Sequence, residues 1–85
     1  MITAAQMRAS RALLGIDQRR LAELSGVSLP TVQRMEGSDG TVRGTVDTLT
    51  KIVEALGAAG VELIAEGGAS PGGGRGVRLK YAKPP

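Results

Sequence analysis

The chain contains no cysteine and no histidine. Disulfide staples, thiolate nucleophiles, imidazole bases and nearly every zinc site are therefore excluded. The longest purely apolar stretches run only a few residues, far short of the roughly 20 that span a bilayer. The opening MITAAQMRAS also lacks the apolar core of a secretory signal. A cytoplasmic protein with no membrane partner is the expectation, and no cofactor is expected. There is no internal repeat.

What is present fits one small domain of 85 residues, with room for a single core. Hydrophobic residues make up 41% and charged residues 22%, a balance that separates the chain from disordered sequences. A domain this small without staples relies on well-packed helices or on oligomerisation. Charge is unevenly spread. Residues 1–44 carry six arginines against four acids, residues 45–66 carry Lys51 against four acids, and residues 67–85 carry four bases and no acid. Basic ends and a pI near 10.0 make a polyanion a plausible partner.

Helical periodicity dominates the first two-thirds. Thr3 is placed to cap a helix through AAQMRASRALL that stops at Gly15. Asp17 caps a second, QRRLAELS, whose buried side is marked by Leu21 and Leu24 and whose end is Gly26. Ser28 caps a third, running from about Leu29 to Glu36, with Pro30 in its first turn, where the missing N–H costs nothing. GSDGTVRG reads as a turn-rich loop. Thr45 or Asp47 caps a fourth helix with Val46, Leu49, Ile52, Val53 and Leu56 on one face, closed by Gly57 and Gly60. The period then changes to alternation. Val61–Ala65 and Val77–Tyr81 read as two short strands, joined by the Gly-rich connector GGASPGGGRG.

The informative stretch is QRRLAELSGVSLPTVQRMEG, residues 18–37. Two short helices that cross steeply need a small side chain where they touch, and Ala22 is placed there. Their tight connector needs a residue that accepts a left-handed conformation, which Gly26 supplies. Leu21, Val27, Val32 and Met35 would fill the space beneath. This is a helix-turn-helix pattern.

With Arg11, Gly15, Gln18, Leu21-Ala22, Gly26-Val27-Ser28, Val32 and Glu36-Gly37 in register, the chain resembles the Xre/Cro-type helix-turn-helix regulators from about Thr3 to Leu56. The resemblance implies a mainly α fold, a four-to-five-helix repressor-like bundle, here followed by a short C-terminal β-hairpin or strand pair. It also implies a sequence-specific DNA-binding transcriptional regulator that sits as a homodimer on a palindromic operator, with the recognition helix, about residues 28–36, in the major groove. Base readout falls to Ser28, Leu29, Thr31, Gln33 and Arg34. Arg34 stands first, because a guanidinium addresses guanine O6 and N7 with two hydrogen bonds, a contact that discriminates by about 1–3 kcal/mol; a phosphate contact alone is the alternative for it. Leu29 and Pro30 depart from the family habit of amides or lysine at those positions, so DNA shape is expected to share in specificity.

Gln18 matches the family glutamine that touches the DNA backbone and braces the recognition helix. Arg19, Arg20, Thr41 and Arg43, with backbone amides near Gly44, are the expected phosphate contacts. For Arg19 and Arg20 a plain solvated face is an equal alternative. Arg11 and Glu36 match an Arg–carboxylate pair that ties the first helix to the recognition helix, a scaffold role alongside Ala22 and Gly26.

The chain divides, on this reading, into a helix-turn-helix domain (1–58), a β element with its Gly-rich loop that serves dimerisation (59–81), and a frayed tail (82–85). Val61, Leu63, Val77 and Leu79 would line the buried face of a sheet shared between two chains. The rival is a hairpin folded back on its own helices, with dimerisation through the fourth helix. The glycine run is not a phosphate loop, since no Lys-Ser or Lys-Thr follows it. An alternative function is an antitoxin-type or antiactivator-type module that masks a protein partner. An enzyme is not expected, as no acid–base or metal constellation is available.

Overall fold

The computed structural model describes residues 2–65, 67, 68 and 72–80. Four helices and a two-stranded antiparallel sheet follow in order: α1 (Ala4–Leu14), α2 (Gln18–Ser25), α3 (Leu29–Glu36), α4 (Val46–Ala58), β1 (Val61–Ile64) and β2 (Gly76–Leu79). The fold is mainly α with a C-terminal hairpin, as expected.

Each helix begins where a short polar side chain can accept a first-turn N–H. Thr3 Oγ1 accepts from Gln6 N at 3.1 Å, while Gln6 Oε1 accepts from Thr3 N at 2.9 Å, a reciprocal capping box. Asp17 Oδ1 accepts from Arg20 N at 2.7 Å. Ser28 and Thr45 cap α3 and α4 in the same way, so Thr45 rather than Asp47 starts α4. Gly15 and Gly26 end α1 and α2 at φ 68° and 74°. No atom lies within 4 Å of where a Cβ would sit on either. Glycine is needed there for its backbone alone.

Three local expectations change. Gly57 lies inside α4, because Ala58 and Ala59 are good helix formers; the left-handed exit falls to Gly60 at φ 106°. Val46 is 77% exposed, since it occupies the first turn of α4 and the buried line begins at Leu49. Leu24 is 42% exposed. The buried side of α2 runs from Leu21 to the half-buried Ala22 and Ser25 instead.

The core gathers Met7, Leu21, Val27, Val32, Met35, Leu49, Ile52 and Leu56. Two contributors sit where the sequence reads as loop or terminus. Ile2 and Val42 are both buried and are drawn together by a short antiparallel bridge, with Ala4 N donating to Gly40 O and Val42 N to Ile2 O, each at 3.0 Å. The loop after α3 is thus pinned by the chain's N-terminal residues.

In the hairpin, Val61 faces Leu79 and Leu63 faces Val77. These four side chains share one face, and that face is turned to the chain's own helices: Val61 is buried and the other three pack against the core. The opposite face carries the Glu62–Arg78 ion pair. β1 rests on α4 and α1, and β2 on α1. The strands stop at Ile64 and Leu79, short of Ala65 and Tyr81; Tyr81 and the tail at 82–85 lie outside the described residues, as does part of the Gly-rich connector.

Candidate nucleic-acid interface

α2 and α3 meet across the Gly26 turn, with Ala22 half-buried at the contact and Leu21 and Val27 beneath it. α3 has two unlike faces. Val32, Met35 and Glu36 are buried, whereas Ser28, Pro30, Gln33 and Arg34 are exposed and Leu29 and Thr31 are half-buried beside them. Ser28 Oγ donates to Thr31 Oγ1 at 2.8 Å, fixing two small hydroxyls at the N-terminal end of the exposed face. Among the described residues, the Arg34 guanidinium makes no hydrogen bond or ion pair.

The buried end of α3 is held by three side chains. Arg11 Nε and Nη2 each donate at 2.7 Å to Glu36 Oε2 and Oε1, a bidentate grip on a carboxylate whose side chain is 2% exposed. Gln18 Nε2 donates to Glu36 Oε1 at 3.3 Å, tying the first turn of α2 to the last residue of α3. Arg8 Nη1 donates to the Glu36 carbonyl, placing a cation at the carbonyl end of α3. The hydrogen bond and charge of Glu36 raise the Arg11 pKa above its ordinary value, with burial opposing and Asp17 adding slightly. Arg11 therefore stays charged. Arg8 was not foreseen from the sequence, although its position one turn before Arg11 on the same helical face points to the same target.

The loop from Gly37 to Thr45 follows directly. Thr41, Arg43 and Gly44 are all exposed. Gly44 does not have a left-handed backbone, and a Cβ there would meet only Leu49 side-chain atoms, at 3.8 and 3.9 Å. Neither conformation nor crowding explains its glycine. Arg19 is exposed on α2, and Arg20 is exposed with Glu23 at 3.6 Å. Arg34, Arg43 and Arg19 are therefore all solvent-facing. Among the described residues there is no cluster of acids able to hold a metal ion, and no helix is long and apolar enough to cross a membrane.

A helix-turn-helix family model matches residues 7–63, the greater part of the chain. The chain belongs to the Xre/Cro-like helix-turn-helix family. The family is one of DNA-binding regulators. A search of curated proteins returns no match. In this Xre/Cro-like chain the match runs from Met7 in α1 through Leu63 in β1, so Thr3, Gln6 and the whole of β2 lie beyond it. Gln6 Nε2 donates to the Ile64 and Gly76 carbonyls, contacts not legible from spacing because these partners are 58 and 70 residues away in sequence.

Proposed function

We propose that this chain is a sequence-specific transcriptional regulator that binds a palindromic operator as a homodimer, with α3 in the major groove. The supporting observation is the division of α3 into a face locked to α1 through Glu36 and a face of exposed Ser28, Gln33 and Arg34. A helix held rigidly by its inner face can present fixed donors to base edges. On this reading Arg34 reads a guanine, Leu29 packs on a thymine methyl, and Ser28, Thr31 and Gln33 flank them. Gln18, Arg19, Arg20, Thr41, Arg43 and the Gly44 amide hold phosphates, supplying most of the affinity.

The division of labour we propose keeps residues 1–58 for DNA and 59–81 for self-association. With Val61, Leu63, Val77 and Leu79 engaged by the chain's own helices, the second chain joins at an edge of the hairpin. A two-stranded sheet leaves both outer edges for further pairing. The outer face of α4 is a poorer candidate, because Asp47, Thr50, Lys51 and Glu54 are exposed along it.

The experiment is a salt-titrated binding assay on the DNA upstream of the protein's own gene, with stoichiometry measured by sedimentation. Two chains per site and an affinity falling about linearly in log–log salt plots support the proposal. Binding that ignores salt, or a duplex affinity unchanged on scrambling the sequence, contradicts it. A protein partner that alters operator affinity would mark the antitoxin-type role, which can coexist with DNA binding.

A further inference from the structure

Gln6 sits at a junction that helix-turn-helix function does not require. Its side-chain amide is fully occupied. Oε1 accepts from Thr3 N at 2.9 Å and from Thr3 Oγ1 at 3.4 Å, while Nε2 donates to Ile64 O at 3.1 Å and to Gly76 O at 3.0 Å. Ile64 and Gly76 are paired across the hairpin at the end where the connector leaves. Thr3 in turn forms the bridge to Thr41, and its neighbours exchange backbone hydrogen bonds with Gly40 and Val42. One amide therefore ties the connector end of the hairpin to the segment that positions Thr41, Arg43 and Gly44.

The residue type is informative. A capping box accepts glutamate as readily as glutamine at this position, because only an acceptor oxygen is needed to reach the cap N–H. Two carbonyl oxygens, however, need a donor, and an ionised carboxylate has none. The cap alone does not demand glutamine; the hairpin carbonyls do. Gln6 is also 5% exposed, so a lost partner there is costly to replace with water.

We propose that Gln6 is a positioning residue that couples the C-terminal hairpin to the DNA-facing loop, so that undocking the hairpin loosens the loop and weakens operator binding. The part of this that concerns DNA rests on the proposed function above. Gln6 and β2 both lie outside the residues that the family model matches. Whatever captures the hairpin, a second copy included, then acts on DNA affinity through Thr3 rather than by touching the recognition helix.

Gln6→Glu separates the two roles, since it keeps the helix cap and removes both hairpin donors. Ala5→Glu, on the exposed neighbouring position at the rim of the same groove, carries the same charge while leaving the Gln6 hydrogen bonds in place. Hydrogen exchange on the full chain reads the result, expressed as protection factors. At neutral pH, Gln6→Glu should lower protection of the Lys80 N–H, which donates to Gly60 O, and of the Ala4 and Val42 N–H groups together. The expected loss is about tenfold, the scale of two ordinary hydrogen bonds. Leu21 and Val32, whose amides close the first turns of α2 and α3, should be unchanged, as should every site in Ala5→Glu.

Acidification gives a signature that a merely structural role does not. Once protonated, the introduced carboxyl regains a donor and protection recovers. Burial of position 6 and the two carbonyl oxygens it faces favour the neutral carboxyl, so recovery falls at or above the ordinary carboxylate range of about pH 4. Loss of protection in the hairpin with Ala4 and Val42 unaffected overturns the coupling, as does no loss anywhere. In a duplex-binding arm, Gln6→Glu should bind about three- to tenfold more weakly than Ala5→Glu; equal affinities overturn the effect on DNA. A wild-type chain that fails to bind any duplex overturns the DNA-binding reading itself, and the exchange arm then decides the coupling independently.

Discussion

Arg11 and Glu36 hold α1 to the last residue of α3 through two parallel hydrogen bonds of 2.7 Å each. Removing the carboxylate strands a guanidinium that is 20% exposed and takes away the Gln18 contact. Glu36→Ala should therefore lower stability by about 2–3 kcal/mol, somewhat under the cost of breaking a wholly buried pair because Arg11 can partly rehydrate. Denaturant unfolding checks this, alongside DNA affinity measured where the variant is still folded. Affinity lost at unchanged stability would assign Glu36 to the interface instead of the scaffold.

Gly26 and Gly44 should respond in opposite ways to alanine. Gly26 has φ 74° with open space around it, so Gly26→Ala incurs only the left-handed backbone penalty, about 1–2 kcal/mol. A thermal melt measures it. A variant as stable as wild type would mean that the turn rearranges.

At Gly44 the backbone suits any residue and a Cβ meets ordinary contacts. Gly44→Ala should leave the fold intact and even add about 0.4–1 kcal/mol by restricting the unfolded chain. Its operator affinity should nonetheless fall about three- to tenfold, because the methyl group intrudes where a phosphate approaches an amide. Wild-type affinity would remove Gly44 from the phosphate contacts.

The outer face of the hairpin gives a pH signature. The hydrogen bond and charge of Arg78 hold the Glu62 carboxyl below its ordinary range, with a lesser contribution from Lys80. A depressed folded-state pKa stabilises above the unfolded value of about 4.3, and the gain is lost as pH falls through the folded one. The melting-temperature difference between wild type and Arg78→Ala should thus be small and constant near neutrality and shrink in acid. Growth of that difference in acid would contradict the pairing.

Much of this was legible because it is local. Thr3, Asp17 and Ser28 with Gly15 and Gly26 mark three helices to within a residue, since caps and left-handed exits depend on chemistry within one turn. Arg11 and Glu36 were found only through the family resemblance, because residues 25 apart have no spacing rule. A short apolar pattern misleads where it meets a helix end: Val46 matches the stripe but lies ahead of the core. The Ile2–Val42 bridge and the Gln6 contacts depend on how terminus, loop and hairpin meet in space. Alternation did place Val61, Leu63, Val77 and Leu79 on one buried face, but period 2 cannot say whether a sheet covers its own chain or another.

The most direct measurement compares wild type and Arg34→Ala on the operator and on a scrambled duplex across a salt series. If the exposed face of α3 reads bases, Arg34→Ala weakens operator binding by about 1–3 kcal/mol and relaxes preference at one position, while scrambled DNA is bound nearly as before. Equal weakening on both duplexes, with the salt slope reduced by about one, would make Arg34 a phosphate contact and contradict the proposed readout.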